Sequence, residues 1–91
     1  MSKYTPSPRV QKLIDLMREA ADAKFAQAKK QDEAGMMAMY ASDADDMFKI
    51  VRMLKEGNTL AAYEKACNMD TAARDEIPDK VYEFLEEEAN A

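Results

Sequence analysis

The sequence predicts an all-α domain, a small helical bundle with a leading antiparallel helix hairpin followed by shorter helices. Three observations carry that expectation. Valine, isoleucine and threonine together number nine in 91 residues while alanine alone numbers 16, so helix formers outweigh strand formers. Two glycines and three prolines supply little of the turn chemistry that a sandwich or barrel needs. Two long segments repeat their apolar residues at three- and four-residue steps, the spacing of one helical face. Hydrophobic residues make up 47% of the chain, too many for a disordered segment, and the length is that of one domain.

The elements follow in order. Residues 1–7 read as an extended arm, because Pro6 and Pro8 both disfavour helix before them. Ser7 and Pro8 then open a helix, the hydroxyl capping a free amide and the proline sitting in the first turn. Val10, Leu13, Ile14, Met17, Ala21, Phe25 and Ala28 form its apolar stripe, and Lys29 and Lys30 suit its C-terminus. Lys24 falls inside the stripe, where it is expected to snorkel or to pair with an acid across the hairpin.

A second helix, roughly 33–56, carries Met37, Tyr40, Ala44, Met47, Phe48, Val51 and Leu54 and stops at Gly57, a left-handed C-cap. Its stripe is out of phase with a continuation of the first, so a turn between them is expected in place of one long rod. Asn58 or Thr59 caps a third helix with Leu60, Tyr63, Ala66 and Cys67 inward, and Asp70 caps a short helical turn through Arg74. Pro78 opens the last helix, with Ile77, Val81, Phe84 and Leu85 inward and Asp79 in its first turn. Glu86, Glu87 and Glu88 oppose that helix's dipole, so the domain 8–91 is expected to end in a frayed acidic tail. Residues 63–70 are similar to the second-helix ending of a tetratricopeptide repeat, but the glycine and first-helix residues of that repeat are absent upstream.

Charge excludes several function classes. Eighteen acids against thirteen bases give −5, unevenly spread. Residues 1–30 hold seven bases and three acids, whereas residues 31–91 hold six bases and fifteen acids. Direct binding of nucleic acid or of an anionic membrane is therefore disfavoured. Cys67 is the lone cysteine and the start shows no apolar leader, which points to a reducing, cytoplasmic setting.

Catalysis finds no obvious agents. There is no histidine, no glycine-rich phosphate loop, and Cys67 shares a face with Leu60 and Tyr63 as a core thiol would. Asp43, Asp45 and Asp46 cluster, but the run 42–47 lacks the glycine and distal glutamate of a calcium loop. A non-enzyme without cofactor or metal is expected.

Helix two is the most informative segment. Its polar sector, Ala38, Ser42, Asp45, Lys49, Arg52 and Glu56, is narrow and holds two i,i+4 charge pairs, Asp45–Lys49 and Arg52–Glu56. Beside the main stripe runs a second apolar band, Met36, Met39, Ile50 and Met53, interrupted by Asp43 and Asp46. If the band is core, both aspartates should bridge to helix one, with Arg18 nearest. If it is a partner surface, flexible thioethers supply the contact and the aspartates orient the partner. We read Met36, Met39, Asp43, Asp46, Ile50 and Met53 as partner-binding, because two acids inside an apolar band are costly to bury.

The expected function is a small protein-interaction module, an inhibitor or adaptor of another protein, self-associating as a dimer through part of helix two. An accessory protein of a phage or other mobile element is the expected setting. The alternative is an acidic nucleic-acid mimic, with Asp70, Asp75, Glu76, Asp79, Glu83, Glu86, Glu87 and Glu88 standing in for phosphates in a basic groove.

Overall fold

A computed structural model describes residues 4–69, 77 and 79–90. Among the described residues four α-helices follow one another: α1 Pro8–Lys29, α2 Ala34–Lys55, α3 Thr59–Cys67 and α4 Asp79–Ala89. The first two form the predicted antiparallel hairpin and set the long axis of a 44 × 26 × 18 Å molecule. The helical turn expected over 70–74 and the Pro78 helix start lie outside the described residues.

The termini of the helices are built as their residues require. The Ser7 hydroxyl accepts the Val10 amide at 3.2 Å and the Ser7 carbonyl accepts Gln11 at 2.8 Å, with Pro8 in the first turn. At the other end of α1 the Gln31 side-chain amide donates to the Gln27 carbonyl at 3.1 Å. The turn therefore spans residues 30–33, and Gly35 lies within the first turn of α2 instead of breaking the chain. Helix α2 ends in a Schellman motif: Asn58 donates to the Met53 carbonyl at 2.8 Å and Gly57 to Leu54 at 3.2 Å. Gly57 adopts φ +84°, which a side chain would strain, and the Tyr4 ring from the N-terminal arm lies against it.

The hairpin is held by a heptad-like seam. In α1 the buried positions Val10, Ile14, Met17, Ala21, Lys24 and Ala28 alternate four- and three-residue steps. In α2 Ala44, Met47, Val51 and Leu54 do the same, joined by Asp43 and Ile50. That spacing lets two antiparallel helices interlock along their length at a shallow crossing. Leu13, Ile14, Met17, Met47, Ile50 and Leu54 lose essentially all contact with water, each contributing about 1.5–3 kcal/mol of apolar burial.

Several side chains differ from the sequence expectation. Phe25 is exposed and Lys24 takes the buried place beside it, because the four–three alternation of the seam passes through position 24. Met37 is likewise exposed, and α2 is rotated so that Ile50 and Asp43 face inward. Leu60 is 58% exposed, since α3 turns Ala62 and Ala66 to the core, with Tyr63 and Cys67 half-buried.

Helices α3 and α4 pack on each other, α3 also packs on α2, and α4 touches α1 more lightly. Val81, Leu85 and Ile77 complete the core, and the Tyr82 hydroxyl donates to the Ala66 carbonyl at 3.4 Å. The glutamates expected to fray are helical. Arg9 forms ion pairs with Glu87 and, at 3.5 Å, with Glu88, while its guanidinium lies 5.1 Å from the Phe84 ring centre. A base from the first turn of α1 thus offsets the acids that oppose the α4 dipole.

Candidate protein-contact surface

The hairpin has two flanks, and α3 and α4 occupy only one of them. The Lys65 ammonium of α3 meets the Asp46 carboxylate at 3.4 Å, and Arg9 on the same side meets α4. On a helix, Met39, Asp46 and Met53 share that side of α2. Most of the band read as partner-binding is therefore where the chain docks its own helices.

Each residue of that band has a definite place. Ile50 is fully buried between the hairpin and α3 and belongs to the core. Asp43 is 6% exposed, and Met53 is half-buried against the core. Met36 is half-buried and Met39 is 44% exposed, near the turn where α3 and α4 do not reach. Asp46 bridges Lys65 and, at 3.9 Å, Lys49; it does not pair with Arg18, because Arg18 projects onto the opposite flank. Asp45 pairs with Lys49 at 3.2 Å. The three aspartates thus diverge, one inward and two toward different lysines.

The opposite flank was not singled out by the sequence reading. On it lie exposed Phe25 and Met37, half-buried Ala41 and Phe48, and the three cations Arg18, Arg52 and Lys55. An open depression there is lined by Arg18, Phe48, Val51, Arg52 and Lys55. Among the described residues, none forms an ion pair with these three cations. The expected Arg52–Glu56 pair is not made: a base preceding its acid by four residues is the weaker order, and Glu56 lies beyond the helix end. The sequence signal for this flank was Lys24. A lysine inside a heptad stripe re-phases the face and turns Phe25 outward.

The remaining polar chemistry sits between α3 and α4. The Cys67 side chain hydrogen-bonds the Tyr63 phenol, and Cys67 and Glu86 add negative charge nearby, so the phenol is held above its ordinary pKa of 10.0. A phenol shifted this way keeps its proton at neutral pH. Among the described residues, no helix is long and apolar enough to cross a membrane.

Compared with protein-family models, with curated proteins and with solved structures, the chain matches none of them.

Proposed function

We propose that the chain is a non-catalytic protein-interaction module, an inhibitor or adaptor that binds another protein through the hairpin end bearing Phe25, Met37 and Met39. The observation that supports this is the outward placement of Met37 and Met39, 41% and 44% exposed, at the start of a helix whose other large apolar residues are wholly or half buried. Methionine adapts its shape to a partner at little cost, and exposed apolar side chains on both flanks of one end of the hairpin offer a contact surface there. A cytoplasmic accessory protein of a phage or other mobile element remains the proposed setting.

Photo-crosslinking from exposed position 38, between the two methionines, in the source cell lysate tests the reading. One dominant adduct, lost in a Phe25→Ser, Met37→Ser, Met39→Ser variant that keeps its helical spectrum, is the expected result. An adduct pattern unchanged by that variant would remove the surface from consideration. A second copy of the chain is the alternative occupant, and sedimentation at rising concentration detects such a dimer directly. The nucleic-acid-mimic alternative draws on exposed Asp79, Glu83 and Glu86 along α4. It predicts that binding collapses with added salt and ignores the methionine substitutions.

A further inference from the structure

The depression between Arg18 of α1 and Phe48, Arg52 and Lys55 of α2 joins an apolar floor to a cationic rim. Its floor is apolar, made by half-buried Phe48 and nearly buried Val51. Its rim holds three cations with which no described residue forms an ion pair, in a molecule of net charge −5. Among the described residues Arg9, Lys49 and Lys65 form ion pairs and Lys12, Lys29, Lys30 and Lys80 do not; what sets Arg18, Arg52 and Lys55 apart is that the three converge on one apolar depression. The C-terminal dipole of α2 accounts for Arg52 and Lys55 being basic. It does not account for Arg18, which reaches the same place from the middle of another helix.

We propose that this flank of the hairpin is the docking groove for an acidic amphipathic helix of a partner protein. Its apolar face would seat on Phe48 and Val51 and its carboxylates would meet Arg18, Arg52 and Lys55. The proposal rests on the contact-module reading and names the partner's chemistry. Three relationships support it. Among the described residues α3 and α4 leave the hairpin open at this depression, so a further helix would extend the bundle by the same packing that built it. Beyond the depression, half-buried Ala41 and exposed Met37 continue the same face of α2 toward the turn. Met37 to Lys55 is about 27 Å along the helix, the length of a partner segment of about 18 residues. Guanidinium forks also match carboxylates in pairs, which gives direction to the docking. A bare anion would leave the apolar floor uncovered. A second copy of this chain offers acids on α4, but its Val81 and Leu85 are already buried and leave no apolar face to seat.

The test uses the full chain and a fluorescein-labelled peptide of about 18 residues, with Leu and Ala on one helical face and Glu on the other. Anisotropy should show saturable binding, and amide shifts should move at Arg18, Phe48, Arg52 and Lys55. Arg52→Glu with Lys55→Glu should weaken binding at least about ten-fold, and the milder Arg52→Gln with Lys55→Gln should do so in part, while the helical spectrum is unchanged. A peptide with Gln in place of Glu should bind correspondingly less. The proposal is overturned if the Glu peptide does not bind, if charge reversal leaves its binding unaltered, or if inorganic phosphate or an oligonucleotide moves the same amides at equal or lower concentration. It is overturned equally if sedimentation shows a dimer that the Arg52→Glu, Lys55→Glu variant dissociates. Loss of the position-38 adduct only in the Phe25, Met37, Met39 variant, with charge reversal inert, would sink the groove and leave the contact reading standing.

Discussion

The Lys24 ammonium lies 4.3 Å from the centre of the Tyr40 ring, in the seam between α1 and α2. Lys24 is only 1% exposed, so the ring face replaces part of the water that the charge has lost. Asp43, one turn farther along α2, is the other buried charged residue among those described. Two charges of opposite sign are thus buried in one helix pair, and we expect them to tie the hairpin to a single alignment.

A double-mutant cycle tests that tie. Lys24→Met and Asp43→Leu should each cost about 3 kcal/mol, because each leaves a buried charge without its counterpart, and the double variant should cost much less than their sum. Urea midpoints report it. Strict additivity would show that the two charges act independently. By the same argument Asp43→Lys should unfold the hairpin and is no probe of partner binding.

Gly57→Ala should lower stability by about 1–2 kcal/mol, since the residue sits at φ +84° and its new Cβ would meet the Tyr4 ring at 3.0 Å. Adding Tyr4→Ala should relieve the overlap and leave the backbone strain, recovering part of the lost melting temperature. A melting temperature unaffected by Gly57→Ala would contradict the cap.

Tyr63 gives the fold a dependence on alkaline pH. Its phenol is raised above the ordinary value of 10.0 in the folded chain, first by the Cys67 hydrogen bond and then by nearby negative charge. A folded value above the unfolded one means that the stabilisation is complete below about pH 10 and is lost as pH rises through the folded value. Stability measured between about pH 8 and pH 11 should therefore fall more steeply in the wild type than in Tyr63→Phe. Cys67→Ala should bring the Tyr63 absorbance titration back toward its ordinary midpoint.

Arg9→Ala should cost less than about 1 kcal/mol overall, because its ion pairs with Glu87 and Glu88 are substantially exposed. Its effect should concentrate in α4, where amide exchange should quicken while the hairpin seam stays protected. Equal acceleration in both places would mean that the molecule opens only as a whole.

The hairpin was legible in the sequence because its signals are local: Ser7 with Pro8, the three–four stripes, and Gly57. The rotation of each helix was less so. Periodicity defines a stripe to within a residue or two, and at positions 24 and 25 the hydrophobic choice was Phe25. The seam instead follows even heptad steps and accepts a lysine that an aromatic ring can shelter. The methionine band misled for a related reason. Two aspartates argued for solvent, yet Asp46 finds Lys65, nineteen residues away in a helix whose docking no local pattern reveals. The cationic depression was invisible for the same cause, being assembled from two helices.

The pairing of Arg9 with the end of α4 also bears on the order in which the molecule assembles. The seam of α1 and α2 joins neighbours in the chain and closes only a short turn, so the first 55 residues can zip together early, even while the remainder is still being synthesised. The clasp between Arg9 and Glu87 must instead close almost the entire chain into a loop, at the largest entropic cost in the fold. Helix α4 is consequently the last piece to arrive and the first to leave. Under mechanical pull or proteolytic attack the bundle should open from its acidic end and persist as a two-helix rod.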